Sequence, residues 1–194
     1  MKLVVERAAL LKALGHVQSV VERRNTIPIL SNVLLSADGQ SLKLMATDLV
    51  LQIVEEVPAT VETAGATTVS AHTLFDIVRK LPDGAQVTLD AAASKMAVTA
   101  GRARFSLQTL PREDFPVIGE SDLPVSFTLP ADTLVTLIDK TRFAISTEET
   151  RYYLNGIFVH APAQGSQGAP GGTLRAVATD GHRLARVEIP VPEG

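Results

Sequence analysis

The chain has 194 residues, 45% of them hydrophobic and 20% charged, with a formal net charge of −3 and a pI near 5.8, which admits a real core in one large or two small domains. It contains no cysteine, so there is neither a disulfide framework nor a thiolate metal site; no run approaches the roughly 18 apolar residues of a membrane span. The start, MKLVVER, lacks the apolar stretch of a secretion signal, so a cytoplasmic protein is expected, while the acidic balance and only 4% aromatic content argue against bulk-charge gripping of nucleic acid or a base-stacking platform.

In chain order, an alternating strand at 2–6 leads to a helix with Leu10, Leu11, Leu14 and Val17 on one face, the spacing that 3.6 residues per turn requires. Alternating segments rich in Val, Ile, Leu and Thr follow at 28–36, 41–48 and 50–57. The same order then returns. A strand at 67–70 leads to Leu74, Ile77, Val78 and Leu81, followed by strands at 85–90, 95–100 and 103–109. Asp38-Gly39 and Asp83-Gly84 are turn dipeptides that separate elements. A third round opens with 125–129, passes through Pro130 in a helix first turn to Leu134, Leu137 and Ile138, and continues in strands at 152–160, 173–179 and 183–189.

The first and third rounds also share anchors. Leu30-Ser31-Asn32 matches Leu154-Asn155-Gly156, 124 residues later, and Ala46-Thr47-Asp48 matches Ala178-Thr179-Asp180, 132 residues later. The later copy has therefore gained eight residues, in the Gly/Pro/Gln/Ser loop at 161–172. The repeated unit is βαβββ, and stacked copies share a core. Two units make a domain of α+β type with two helices packed on antiparallel sheet. The stretch 111–124 holds three prolines, a glycine and several acids, placing a linker at 119–124 between a first domain at 1–118 and a half domain at 125–194. The third unit lacks its mate, which leaves an apolar helix face and a sheet edge open; a longer natural chain is expected.

The segments IPILSN (27–32), RFSL (104–107), DFP (114–116), RYYLNG (151–156) and ATDGHRL (178–184) together resemble the bacterial sliding clamp family, the β subunit of DNA polymerase III. The similarity runs in register from residue 1 to about 190. It implies the DNA-clamp fold, with three such domains per protomer and two protomers closing head to tail into a homodimer ring around duplex DNA, without catalysis and without cofactor or metal. The ring tethers the polymerase and docks polymerase, clamp loader and repair proteins through short linear motifs. The present chain corresponds to the first domain and the front half of the second, and by itself is expected to be monomeric or non-natively paired.

The resemblance further implies DNA contact at Arg24, His72, Tyr152 and Tyr153; Glu148 stands where relatives carry a neutral amide and is left out. Helix-end cations Arg23, Arg24, Arg79, Lys80, Lys140 and Arg142 would face phosphates at a distance, or else are solvated charges. Tyr152 and Tyr153 are the only tyrosines, and as neighbours on a strand they would point to opposite faces, so at most one is expected in the core. The peptide groove is implied at Leu154, Thr179, Gly181, His182, Arg183 and Leu184, its remaining wall lying outside this chain. The first copy carries Leu49-Val50-Leu51-Gln52 where the later one has Gly181-His182-Arg183-Leu184, a difference that a purely structural turn does not need. Ring closure is implied at the helix residue Ile77 and at Arg102, Arg104 and Leu107 on an edge strand at 101–109, whose cations would equally guard against aggregation.

Two rivals remain. An enzyme would draw on His182 beside Asp180, or on His16, His72 and His160, but these are dispersed without an i, i+4 pair, and no GxSxG, P-loop or HExxH pattern occurs. A plain interaction module would pair through its sheet edges and never touch DNA.

Overall fold

A computed structural model describes residues 1–22, 26–117, 127–162 and 172–192, in two compact units, Met1–Gly119 and Glu120–Gly194. Among these residues no helix is long and apolar enough to cross a membrane.

In the first unit β1 (Lys2–Glu6) runs directly into α1 (Arg7–Val17). The Glu6 carboxylate caps the helix, accepting from the Ala9 amide at 2.8 Å and satisfying a donor that has no partner within the helix. The Ala8 and Ala9 amides hold its pKa below the ordinary value. Leu10, Ala13, Leu14 and Val17 form the buried face. β2 (Asn32–Asp38), β3 (Ser41–Thr47) and β4 (Gln52–Thr63) follow. The strand expected at 28–36 starts only at Asn32, because Pro28–Ser31 coils into a 3₁₀ turn; Pro28 fixes φ and has no N–H for a ladder. β4 also outruns its expected end. It pairs with β3 through Pro58 and with β1 from Ala59 onward, so the proline stands at the hand-over, where a missing donor is tolerated.

β5 (Gly65–Ser70) enters α2 (Ala71–Arg79), capped by Ser70 Oγ, which accepts from the Thr73 amide at 3.4 Å. β6 (Gln86–Ala92), β7 (Lys95–Ala100) and β8 (Ala103–Leu110) complete the unit. The strand order is β1-β4-β3-β2-β5-β8-β7-β6, closing back onto β1. Each copy pairs its first strand with its last, and the first strand of either copy pairs with the second strand of the other. The register repeats this relation: Val4 faces Thr88 and Leu34 faces Thr68, and Thr68 and Thr88 occupy in the second copy the places of Val4 and Leu34 in the first. The two copies are thus related by a pseudo-twofold axis.

The α+β reading stands, with an addition: the antiparallel strands close into a ring, although β5 and β8 meet at only two residue pairs, so closure leaves most of β8 an open edge. Inward residues such as Leu3, Leu35, Leu44, Leu89 and Val98 share one core with Leu10 and Leu14 of α1 and with Leu74 and Val78 of α2. Arg7 ties the helices together, its Nε donating to the Val78 carbonyl at 3.2 Å and its Nη2 to that of Arg79 at 3.0 Å, while Nη1 pairs with Asp83.

In the second unit Pro130 occupies the cap position of α3 (Ala131–Asp139). β9 (Phe158–His160), β10 (Thr173–Thr179) and β11 (Leu184–Pro190) form an antiparallel sheet in the order β11-β10-β9. Of the strand expected at 152–160 only the last three residues are extended, because Glu149–Leu154 forms 3₁₀ turns broken at Arg151 (φ −111°, ψ 47°). Residues 127–130 form no strand, and 125 and 126, like the expected linker 119–124, lie outside the described residues. The core here is small: Leu137, Leu174 and Ala176 in one cluster, Ala144, Ala178 and Ala185 in another.

Candidate functional site

The turn after β10 is built by its own polar side chains. Thr179 Oγ1 donates to the Arg183 carbonyl at 2.7 Å and accepts from the Gly181 amide at 3.1 Å. Asp180 Oδ1 accepts from the amides of His182 and Arg183, both at 2.9 Å, and Asp180 Oδ2 from Arg183 Nε at 2.9 Å. The Arg183 and His182 amides, followed by the Arg183 side chain, hold the Asp180 carboxyl down at about 2, because each donor favours the ionised form. Gly181 has φ +89°, a conformation that favours glycine. The tip is presented outward: Gly181, His182, Arg183 and Leu184 are exposed, and the Arg183 guanidinium lies 5.8 Å from the centre of the Phe143 ring.

The corresponding turn of the first unit has the same scaffold. Thr47 Oγ1 donates to the Leu51 carbonyl (2.7 Å) and accepts from the Leu49 amide (3.0 Å), while Asp48 Oδ1 accepts from the amides of Val50 (2.8 Å) and Leu51 (2.7 Å). Even the left-handed residue is kept, as Leu49 at φ +77°, unusual for a bulky side chain. The duplicated unit therefore carries one backbone device with two different tips, Leu-Val-Leu in one copy and Gly-His-Arg in the other.

Against the second turn lies the segment from Ser146 to Asn155. The Ser146 amide donates to the Leu154 carbonyl at 3.0 Å, the Arg151 amide to that of Glu148 at 3.0 Å, and the Asn155 amide to that of Tyr152 at 3.2 Å. Arg151 joins the two parts. Its Nη1 donates to the Asp180 carbonyl at 3.2 Å, its Nε pairs with Glu148 at 3.0 Å, and a Cβ on Gly181 would come within 3.1 Å of Nη1. Both tyrosines of this segment are exposed, Tyr152 by 79% and Tyr153 by 71%, and their rings meet edge to face with centroids 5.8 Å apart. Neither is core, within the expected limit of one, but the strand alternation behind that expectation is absent, because the backbone here is 3₁₀. Leu154 is half-buried and, with Thr179, lines a recess of about 190 Å³ that also takes in Tyr153, Phe158, His160 and Val177.

Of the groove residues predicted from the sequence, Leu154 and Thr179 line this recess, and Gly181, His182, Arg183 and Leu184 stand on the exposed turn that follows Thr179. Phe143 and Phe158 carry no signal in the sequence, His160 stood there only as an enzyme candidate, and Arg151 stood inside the RYYLNG segment without a role, because a bridge across 29 positions of sequence leaves no local pattern.

The remaining predicted residues lie in the first unit. His72 is half-buried, its Nε2 3.0 Å from the Val21 carbonyl and its Nδ1 3.3 Å from Gln18 Oε1, so contact with a phosphate requires giving up one of these. Arg23 and Arg24 lie outside the described residues. Arg79 pairs with Asp76 (3.1 Å) and, in the second unit, Arg142 with Asp139 (3.3 Å); Lys80 and Lys140 occupy helix C-caps. Ile77 and Leu107 are partly buried against the first core, and Arg102 and Arg104 are exposed. On one side β8 pairs with β7 along its length, whereas on the other only Thr109 and Leu110 meet β5, leaving most of it an open edge, as expected. Among the described residues no group of three or more His, Asp or Glu side chains could hold a metal ion.

Comparison with known proteins gives the family. A family model described as "DNA polymerase III beta subunit, N-terminal domain" matches residues 1–119, and one described as "DNA polymerase III beta subunit, central domain" matches 128–194. The beta sliding clamp of Caulobacter vibrioides is 58% identical over 196 residues, covering 100% of this chain and 52% of its own length; that of Escherichia coli K12 is 44% identical over 193 residues, covering 98% and 50%. The crystal structure of the C. crescentus beta sliding clamp superposes with a TM-score of 0.92 over 100% of this chain and 51% of the other at 58% identity. A Pseudomonas aeruginosa DNA polymerase III subunit beta gives 0.88 over 99% and 50%, at 42% identity. The chain spans about half the length of these relatives.

Proposed function

The chain belongs to the DNA polymerase III beta subunit family, and from that premise we propose that it is the front part of a processivity clamp, a non-catalytic cytoplasmic protein that encircles duplex DNA and tethers the replicative polymerase. In this reading residues 1–118 are the first clamp domain, 119–124 the linker and 125–194 the front half of the second. Arg24, His72, Tyr152 and Tyr153 face the duplex. Leu154, Thr179, Gly181, His182, Arg183 and Leu184 form one wall of the groove for polymerase, clamp loader and repair proteins. Ile77, Arg102, Arg104 and Leu107 belong to the contact that closes a homodimeric ring.

The observation that carries the reading is the join at Arg151, which sets two exposed tyrosines beside an exposed Gly-His-Arg-Leu turn. A topological clamp needs no strong phosphate grip, which fits a net charge of −3 where a domain held by affinity would be basic. The plain edge-pairing module is not favoured by relatives 44–58% identical in sequence that are beta sliding clamps.

The test is fluorescence anisotropy of a labelled peptide with Leu and Phe anchors, titrated with this chain and with a chimera that adds the remaining half of the Caulobacter relative. The chimera should bind and lose roughly tenfold or more with His182→Ala or Arg183→Ala, while the chain alone binds weakly. A folded chimera that ignores the peptide would remove the groove assignment.

A further inference from the structure

The chain contains three Asp-Gly pairs, Asp38-Gly39, Asp83-Gly84 and Asp180-Gly181. In each, the glycine has no side chain to shield its nitrogen from the preceding carboxyl, so all three are open to the same spontaneous ring closure. The fold treats them differently. The Asp180 carboxylate accepts from the amides of His182 and Arg183 and from Arg183 Nε, and the Gly181 amide is itself engaged with Thr179 Oγ1. Asp83 is paired with Arg7, a side chain anchored in turn to the carbonyls of Val78 and Arg79. Attack at either of these carboxyls has to break the contacts that hold it. Among the described residues, the hydrogen bond that the Asp38 side chain makes is the one it accepts from the Gly39 amide, at 2.9 Å. Its carboxyl is folded back onto the very nitrogen that would attack it, in an exposed two-residue turn where Gly39 has φ +54° and open space around it.

We propose that Asp38-Gly39 is a site of spontaneous isomerisation to isoaspartate, and thereby an acceptor for a carboxyl-methylating repair enzyme that uses a sulfonium methyl donor. The Gly39 nitrogen bonds to Asp38 Cγ; the carboxyl hydroxyl and the amide proton leave together as water, and a five-membered succinimide forms. Water then adds to one of its two carbonyls. Opening at Cγ restores aspartate, whereas opening at the main-chain carbonyl leaves the chain running through Cβ and Cγ, one carbon longer, with a free α-carboxyl to be methylated. The change falls where β2 turns into β3: Asp38 pairs with Ser41, and the Gln40 carbonyl accepts from the Ala59 amide at 2.9 Å, at the point where β4 passes from β3 to β1. The inference does not depend on the clamp reading.

The test is to age the folded chain and a guanidinium-unfolded sample side by side in mildly acidic buffer, where carboxyls carry the proton they must expel. Trypsin places the three pairs on separate peptides, 25–43, 81–95 and 176–183, and electron-transfer fragmentation quantifies isoaspartate in each. In the folded chain it should accumulate severalfold faster at Asp38 than at Asp83 or Asp180, while the three unfolded rates lie close together. Arg7→Met should raise the Asp83 rate severalfold. A protein isoaspartyl methyltransferase with a labelled methyl donor should label the aged chain and leave Asp38→Glu near background. Equal folded rates overturn the proposal, as does a lead at Asp83 or Asp180, or a lead at Asp38 that persists unchanged in guanidinium. An Asp83 rate unmoved by Arg7→Met overturns the protection assigned to that ion pair.

Discussion

Replacing Gly181 by alanine tests the join between the two candidate surfaces. At φ +89° a side chain costs about 1–2 kcal/mol. The new Cβ would also stand 3.1 Å from Arg151 Nη1, so the guanidinium must yield by a few tenths of an ångström and weaken the bond it makes to the Asp180 carbonyl at 3.2 Å; a part-exposed bond of this kind contributes up to about 1 kcal/mol. Alanine's smaller unfolded-state entropy offsets about 0.4–1 kcal/mol. The net expectation is a loss of about 2 kcal/mol, confined to the second unit. Urea unfolding followed by tyrosine fluorescence isolates that unit, because Tyr152 and Tyr153 are the only tyrosines and there is no tryptophan. In an Arg151→Ala background the same change should cost only about 1 kcal/mol, since the displaced contact is already gone. Leu49→Gly, at the matching position with φ +77°, should stabilise the first unit by up to about 1 kcal/mol, because relief of strain outweighs the entropy of glycine. Equal midpoints for wild type and Gly181→Ala would refute the strain argument, and an unchanged cost in the Arg151→Ala background would refute the contact.

Other outcomes follow from the same geometry. Arg7→Met should lower the stability of the first unit by about 2–3 kcal/mol, read by hydrogen exchange of α2 amides, because it strips charged donors from the carbonyls of Val78 and Arg79; Arg7→Lys should restore only part, lacking the fork. The Asp180 carboxyl, held at about 2 against about 3.9 when unfolded, contributes stability that is complete above about pH 4 and is lost as pH falls toward 2. Asp180→Asn should flatten the tyrosine-detected midpoint across that window. Tyr152→Ala and Tyr153→Ala should each weaken retention of duplex DNA in the chimera severalfold while shifting far-UV unfolding by less than about 0.5 kcal/mol, because both rings are exposed.

The βαβββ order of the first two rounds, the three helices, the buried stripes of α1 and α2 and the turns at Asp38-Gly39 and Asp83-Gly84 were legible in the sequence, because side-chain period and turn chemistry are local properties; of the stripe expected on α3 only Leu137 is buried, with Leu134 and Ile138 exposed. Legible too were the Thr-Asp turns, whose duplicated residues build duplicated hydrogen bonds. The tertiary structure decided what local pattern cannot carry. Pairing of β1 with β6 and of β2 with β5 closes the sheet through contacts tens of residues apart. The segment at 149–154 has the composition of a strand yet coils, held by the Ser146–Leu154 and Arg151–Asp180 bonds, and that is why both tyrosines face outward. Composition fixes which residues prefer burial, but only the long-range hydrogen bonds determine which backbone groups find partners, and an unpaired buried group costs more than a local preference is worth.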